Sequence, residues 1–160
     1  MDLIEQRAHS LVAFNWKHER NALIEIAKKR NISYETIDGD VPAHKRKNII
    51  ERFQAGQVQV LFAHPQSASH GLTLTKATTC IWCSPTYNAE HFQQFNRRIH
   101  RAGQTRKTET ILIAARNTWE ESVYDKLNGK LGRMENLLNI LTKIQPKDTN
   151  LNGQTKNDFS

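Results

Sequence analysis

The stretch that decides the fold is residues 11–30, LVAFNWKHERNALIEIAKKR, in which a short apolar run is followed by an amphipathic one. The apolar side chains of Leu11–Asn15 are nearly continuous, which is typical of a buried strand. From Lys17 to Arg30 the apolar residues recur at the spacing of a helix. These apolar residues are Leu23, Ile24, Ile26 and Ala27. A strand followed at once by a helix predicts the first half of a βαβ unit.

The same alternation continues through the rest of the chain. Further strands are predicted at Tyr34–Ile37, Val58–Ala63, Thr79–Cys83 and Glu109–Ala115. Further helices are predicted at Pro42–Gln54, Ala89–Arg101 and Asn117–Lys143. Strands separated by helices of this length favour an α/β fold, with a mainly parallel sheet covered by helices on both faces. Such sheets bind ligands at the carboxyl ends of their strands, so the loops after Ala63 and Cys83 are expected to carry the chemistry.

The length and composition of the chain bound its organisation. Its 160 residues suit one domain, which we expect to occupy residues 1–144. Residues 145–160 are rich in Asn, Asp, Lys, Gln and Thr, a composition that predicts a flexible, disordered tail. No apolar run is long enough to span a bilayer, and Met1–Arg7 lacks the apolar core of a secretory signal. We therefore expect a cytoplasmic protein with no membrane partner.

The charge of the chain indicates a polyanionic partner. The formal net charge is +7, and a basic excess of this size is typical of proteins that bind nucleic acid. Much of the excess falls in residues 88–107, where the only acid is Glu90. The basic residues there are Arg97, Arg98, Arg101, Arg106 and Lys107. An ordinary solvated helix face remains the alternative interpretation of this cluster.

The two cysteines, Cys80 and Cys83, have the spacing of half a zinc or redox motif. They fall on a predicted strand, where residues three apart point to opposite faces. No second Cys/His pair follows at a zinc-like spacing. We predict buried structural thiols and no metal site.

The most specific segment of the chain is residues 94–104, QFNRRIHRAGQ. On the predicted helix, Gln94, Arg98 and Arg101 are spaced by four and three and share one face. A planar, permanently charged guanidinium suits phosphate better than a lysine does. In phosphoryl transfer such an arginine stabilises the charge that develops on the γ-phosphate, and it can be worth about 10³–10⁵ in rate.

This segment resembles motif VI of the Swi/Snf-type ATPases of helicase superfamily 2, with the pattern Q-x-x-x-R-x-x-R-x-G-Q. The resemblance extends from about Leu11 to Lys130. Residues 11–14 (LVAF) resemble motif IV, and residues 64–74 (HPQSASHGLTL) resemble motif V in the form found in phage and bacterial members. Residues 38–39 with Arg46 and Phe53, residues 84–88 (SPTYN) and residues 118–121 (TWEE) occupy the places of further family segments.

The resemblance implies a RecA-like three-layer αβα lobe, the second of the two lobes of a DNA translocase. By that resemblance, Arg101 is the arginine finger, Arg98 is its companion on the phosphates, and Gln94 orients the site. The residues expected to couple DNA to the nucleotide are Gly71, His70 and Gln104. The expected DNA contacts are Ser67, Ser69, Thr73 and Arg97. Two of these depart from the family, because Ser69 stands where it has a glycine and Thr73 where it has an asparagine.

The other half of an ATP site is missing from the 160 residues. They contain neither a G-x-x-x-x-G-K-[ST] phosphate loop nor an Asp-Glu-x-His box. We therefore expect ATP and Mg²⁺ to bind only together with a first RecA-like lobe, and the isolated chain neither to hydrolyse ATP nor to move on DNA. That lobe would be supplied by another chain or by further sequence of a longer translocase.

A different class of function stays open, namely a stand-alone DNA-binding or regulatory module that kept the fold without the motor. In either case the expected DNA partner is duplex, bound through its phosphates without regard to sequence. The form of motif V suggests a phage or bacterial source, which would place the protein in the host cytoplasm if it is phage-encoded.

Overall fold

A computed structural model describes residues 1–68 and 71–144, with side chains up to residue 133, and contains one five-stranded sheet. The strands are β1 (Ser10–Ala13), β2 (Tyr34–Ile37), β3 (Val60–Ala63), β4 (Thr79–Trp82) and β5 (Glu109–Leu112). Their order across the sheet is β2-β3-β1-β4-β5, and all four pairings are parallel. The five predicted strands are confirmed, although four of them have slightly different bounds.

Five helices flank the sheet in the described part of the chain. They are α1 (Asp2–Glu5), α2 (Lys17–Lys29), α3 (Ala43–Gln54), α4 (Ala89–Asn96) and α5 (Trp119–Ile144). Sequence periodicity did not predict α1, because four residues make little more than one turn and give no repeating stripe. None of the described helices is long and apolar enough to cross a membrane.

Successive residues of each inner strand pack on opposite faces of the sheet. Leu11 lies in a core cluster with Phe53 of α3, Phe95 of α4 and Leu127 of α5, while Val12 belongs to a separate cluster. That second cluster joins the other face of the sheet to Ile4 of α1 and Ala27 of α2. Both faces are thus covered, which confirms the three-layer α/β fold and explains the nearly continuous apolar strands.

One predicted helix was too long. The pattern predicted a helix from Ala89 to Arg101, but α4 ends at Asn96 and residues 97–103 form turns and bends. The backbone carbonyl of Arg98 accepts a hydrogen bond from Leu74 N at 2.9 Å instead of one from the next helical turn. The segment that carries the two motif VI arginines is therefore a loop tied to the chain after β3.

Other predictions fall at the edges of the described structure. The last helix begins at Trp119 rather than at Asn117, whose backbone is left-handed (φ 60°). The predicted tail, residues 145–160, lies outside the described residues, as do Ser69 and His70.

Candidate functional site

Helix α4 is held in place by its amino-terminal cap and by one buried tryptophan. The side chain of Asn88 accepts a hydrogen bond from His91 N at 3.0 Å, which satisfies a free amide of the first turn. Phe92 and Phe95 pack on Trp82 of β4 with ring centroids 4.9 Å and 5.1 Å away. This packing fixes the end of α4, and with it the start of the arginine-bearing loop.

Arg98 and Arg101 converge on the loop that follows β3. A guanidinium nitrogen of Arg101 donates to the carbonyl oxygens of Gly71 at 3.0 Å and Leu72 at 3.3 Å. Arg98 also donates to the Leu72 carbonyl, at 3.5 Å. Arg98 is buried, with 8% of its surface exposed, whereas Arg101 is exposed. One arginine is thus fixed within the lobe, while the other lies at its surface.

The predicted site residues Gln94, Arg98 and Arg101 do meet, but not on a helix face. Together with Arg97 and His100 they line a surface cleft of about 360 Å³, which we call the arginine cleft. Gln94 reaches it from α4, and its amide nitrogen donates to the Glu90 carboxylate at 2.8 Å. The predicted helix was expected to place Gln94, Arg98 and Arg101 on one face. The turn after Asn96 brings the same three side chains to one cleft instead.

The electrostatics of the arginine cleft favour an anion. Burial lowers the pKa of Arg98, and the positive charge of Arg101 lowers it further. Among the described residues, no carboxylate lines the cleft. An anion bound beside the two guanidiniums would attract both positive charges. It would thereby offset the cost of burying the charge of Arg98 and the repulsion between the two arginines.

Gln104, expected to couple DNA to the nucleotide, is bound within the lobe. Its side-chain amide nitrogen lies 3.0 Å from the carbonyl oxygens of Thr75, Ala77 and Ile99, and its two N–H groups are shared among these three acceptors. Gln104 therefore clamps the loop after β3 to the arginine-bearing loop, and any coupling that it provides acts through this clamp.

The described part of the loop after β3 is held by a third arginine, Arg46, whose contact with the loop the sequence did not reveal. Arg46 of α3 donates to the carbonyls of Val41 at 2.8 Å, Asp38 at 3.0 Å and Ser67 at 3.4 Å. It thereby joins the turn after β2 to the turn after β3. The motif pattern marked Arg46 as a family position, but its three carbonyl partners become visible only in the fold.

The remaining predicted residues differ in exposure. Gly71 has a left-handed backbone (φ 62°), which favours glycine, and it is exposed. Ser67 and Thr73 are half-buried, and Arg97 is exposed. The contacts of Ser69 and His70 lie outside the described residues.

The cysteines lie on opposite faces of the sheet, as strand alternation predicts. Cys80 is buried in the cluster beneath α3, α4 and α5, and Cys83 packs against the cluster on the other face. Burial raises the pKa of the Cys83 thiol to about 12, so it is protonated at neutral pH. Within the described residues no group of three potential ligands could hold a metal ion.

A second cleft lies at the carboxyl ends of β1 and β4, beside the loop after Cys83 where the sequence predicted chemistry, although the sequence singled out none of its aromatic side chains as a binding surface. Its volume is about 520 Å³, and we call it the aromatic cleft. Three of its side chains are largely exposed: Trp16 (58%), Tyr87 (69%) and Trp119 (58%). Tyr87 and Trp119 fall within the family segments 84–88 and 118–121, but the sequence pattern does not reveal that these two rings and Trp16 line one cleft.

Comparison with known proteins gives the class of the chain. Residues 1–103 match the family model described as helicase conserved C-terminal domain. Chromodomain-helicase-DNA-binding protein 1-like of Mus musculus is 31% identical over 124 residues, which are 77% of this chain and 14% of that protein. Chromodomain-helicase-DNA-binding protein 8 of Homo sapiens is 30% identical over 127 residues, 78% of this chain and 5% of that protein.

The fold has a counterpart among solved structures. The crystal structure of the C-terminal part of the Fun30 ATPase domain superposes with a TM-score of 0.71 at 17% identity, covering 78% of this chain and 40% of that one. The chain spans only 14% and 5% of the lengths of the two chromodomain-helicase-DNA-binding proteins. Those relatives are vertebrate proteins and lend no support to a phage or bacterial source, which stays a prediction.

The parallel sheet, its two helical layers and the converging motif V and motif VI loops define a RecA-like second lobe of helicase superfamily 2. The chain belongs to the helicase conserved C-terminal domain family, and within it to the Swi/Snf-type C-terminal lobes. The resemblance stated from the motifs is confirmed.

Proposed function

We propose that the chain is the second lobe of a Swi/Snf-like ATP-dependent DNA translocase, and that it supplies the arginine finger to an ATP site completed by a first lobe. The observation that carries the proposal is the arginine cleft at the surface of the lobe, which is lined by exposed Arg101 and by buried Arg98. A first lobe docked over this cleft would place the nucleotide between the two lobes. Family membership supports the partner lobe and an ATP-hydrolysing class.

The residues present fit the polyphosphate end of ATP. Exposed Arg101 can reach across to a partner lobe, while buried Arg98 holds its charge at a fixed position. Each guanidinium offers a planar fork of donors that matches phosphate oxygens. ATP would supply the phosphoanhydride bond that is cleaved. The arginine cleft has no carboxylate among its described residues, so the ligands of Mg²⁺ belong to the first lobe.

The same contacts link the finger to DNA. Arg101 donates to the carbonyls of Gly71 and Leu72, within the loop that also carries Ser67, Ser69 and Thr73. If these three side chains contact DNA, a shift of the loop on the phosphates moves the acceptors that hold Arg101. DNA binding and the position of the finger are then coupled through one pair of hydrogen bonds.

The proposed contacts with DNA are to its phosphates. The chain carries a formal charge of +7, and exposed Arg97 lies beside the arginine cleft. Such contacts give affinity that falls with salt and does not depend on sequence. Duplex DNA is the proposed track.

A second candidate function is a stand-alone DNA-binding or regulatory module. The basic charge of the chain is the observation that favours it. Such a module would need the basic surface but not the pairing of Arg98 with Arg101.

The test is to recover the tagged chain from a lysate of its source and to assay the eluate for DNA-stimulated ATP hydrolysis. Arg101→Ala is the test variant. Arg30→Ala is the matched control, because it removes the same charge from an exposed position at the end of α2 on the other side of the sheet. Activity with the normal and control chains, lost with Arg101→Ala although the same partner is recovered, supports the motor lobe. Salt-sensitive DNA binding with neither ATPase nor a phosphate-loop partner supports the binding module.

A further inference from the structure

Three exposed aromatic side chains share the aromatic cleft. Trp16 follows β1, Tyr87 lies between β4 and α4, and Trp119 begins α5. They account for three of the five large hydrophobic side chains that are exposed in the described residues. Scattered exposed apolar residues need no explanation, but several around one cleft of about 520 Å³ indicate a binding site.

Two of the three rings form a platform. The rings of Tyr87 and Trp119 are stacked, with centroids 5.8 Å apart and planes inclined by 6°. This separation and near-parallel arrangement are those of an offset stack. Because Tyr87 lies in the loop after β4 and Trp119 begins α5, the stack joins two separate segments, fixes both rings in one orientation and still leaves most of their surface in solvent. A planar ligand would meet a preorganised aromatic surface.

The polar groups around the platform favour a neutral ligand. The Glu19 carboxylate accepts hydrogen bonds from the amides of Asn15 at 2.8 Å and Trp16 at 3.1 Å. The Glu120 carboxylate accepts one from the amide of Ala115 at 2.8 Å. Glu19 of α2 and Glu120 of α5 are thus each engaged by amides of the loop that precedes their helix. The imidazole of His91 also lines the cleft and can pair with the edge of a heterocycle, whereas the hydroxyl oxygen of Thr86 already accepts a hydrogen bond from Asn88 N at 3.2 Å.

The aromatic cleft adjoins the proposed DNA contacts. His64 and Asn15 line it and also line a neighbouring cleft that contains Gln66 and Ser67. The two clefts therefore adjoin, and a strand whose phosphates lie on the Ser67 loop would reach the edge of the aromatic cleft. Protein surfaces that bind single-stranded nucleic acid combine a basic groove with aromatic side chains on which bases stack, and the aromatic cleft, whose described lining has no lysine or arginine, supplies the stacking part.

We infer that the aromatic cleft binds an unpaired base of DNA by stacking it on the Tyr87–Trp119 platform. The inference rests on the proposed function only in that DNA is the ligand. It adds a contact that duplex DNA with all its bases paired would not make. Because every base has a π-face, the contact is expected to tolerate any sequence.

Tryptophan fluorescence of the full chain tests the inference directly. Two of its three tryptophans, Trp16 and Trp119, line the cleft and are exposed, whereas Trp82 is fully buried. A single-stranded oligodeoxythymidine should quench the exposed tryptophans, and an equally long duplex with capped ends should quench them much less. An abasic oligomer of the same length has the same phosphates but no bases, and it should bind about tenfold more weakly without quenching.

Variants locate the contact. Tyr87→Ala should weaken binding of the single strand by about tenfold, whereas Tyr87→Phe keeps the ring and should retain the affinity. Ile26→Ala is the matched control, because Ile26 is an exposed apolar residue of α2 outside the aromatic cleft. Circular dichroism of each variant checks that it is folded. If Tyr87→Ala does not fold, the abasic oligomer still decides the matter on the unchanged chain.

The outcomes separate this inference from the proposed function. Salt-sensitive duplex binding without quenching by the single strand, or equal affinity for the abasic oligomer, overturns the base site and leaves the motor lobe standing. Tyr87→Ala chains could also bind the single strand normally but fail to recover the first lobe from the lysate. That result would make the cleft a protein-docking surface and would overturn the inference. If the chain binds no DNA at all, both proposals are wrong.

Discussion

A guanidinium nitrogen of Arg101 lies 3.0 Å from the carbonyl oxygen of Gly71, and this hydrogen bond joins the motif VI loop to the motif V loop. The two residues are thirty positions apart in sequence, and the contact depends on the chain turning after Asn96. Its consequence is mechanical, because neither loop can move far without disturbing the other.

The first prediction concerns the clamp formed by Gln104. Gln104→Ala removes the amide group whose two N–H donors are shared among three backbone carbonyls, and it should lower the free energy of unfolding by about 2 kcal/mol, measured by urea denaturation. Gln104→Glu should cost at least as much, since an ionised carboxylate cannot donate. Gln57→Ala, at an exposed position, is the control and should stay within about 0.5 kcal/mol of the normal chain. Unchanged stability in Gln104→Ala would show that the clamp contributes nothing.

The second prediction concerns the loss of stability at acid pH and the part that Asp38 has in it. Burial alone raises the pKa of Asp38, but the hydrogen bond from Arg20, the amide of Asp40 and the charges of Arg20 and Lys17 together bring it below 3.8. A carboxyl whose pKa is lower in the folded state stabilises that state above its unfolded pKa, and this stabilisation is lost as pH falls through the folded pKa. The free energy of unfolding should therefore decrease between about pH 5 and pH 3, and less steeply in Asp38→Asn.

Asp2 provides the comparison for Asp38. The hydrogen bond and charge of Arg30 lower the pKa of Asp2 too, but Asp2 is fully exposed and solvent screens the pair. Asp2→Asn should follow the pH profile of the normal chain closely. If Asp38→Asn gave the same profile as the normal chain, the Arg20–Asp38 pair would have no role in acid stability.

The third prediction concerns the electrostatic part of DNA binding. Arg97→Ala should weaken duplex binding equally for unrelated sequences and reduce the slope of log affinity against log salt by about one. Fluorescence anisotropy at several salt concentrations measures both quantities. Arg30→Ala should leave the slope unchanged, because its side chain is already paired with Asp2 and Glu5 near α1. An identical slope for Arg97→Ala and the normal chain would remove Arg97 from the DNA contacts.

The sheet could be predicted from the sequence because burial on both faces leaves a strong pattern. The strand Leu11–Ala13 alternates between the two clusters, and the resulting apolar run is hard to mistake. The end of α4 could not be predicted in the same way. Ile99 is buried and continues the apolar spacing of Phe92 and Phe95, so the pattern continues into the turn. Only the tertiary hydrogen bond from Leu74 N to the Arg98 carbonyl marks the place where the helix has stopped.

The candidate site was predictable as a set of residues but not as a geometry. Motif spacing singled out Gln94, Arg98 and Arg101, and the structure brings all three to one cleft. The motif spacing could not reveal that the side chain of Gln104 donates hydrogen bonds to backbone carbonyls within the lobe. A glutamine gives the same sequence pattern whether its amide faces a ligand or the backbone. Nor could the motif spacing reveal the Tyr87–Trp119 stack, which depends on how the loop after β4 approaches the start of α5.

The most direct test of the central claim is the rate of ATP cleavage in a single turnover by the assembly of this chain with its first lobe. The nucleotide and DNA should be saturating, and the normal chain should be compared with Arg101→Lys and Arg101→Ala. The account predicts cleavage slower by about 10³-fold in Arg101→Ala, with Arg101→Lys also impaired because a lysine lacks the planar fork, while nucleotide affinity changes far less. Cleavage at the normal rate in Arg101→Ala, with the same partner bound, would contradict the assignment of Arg101 as the arginine finger.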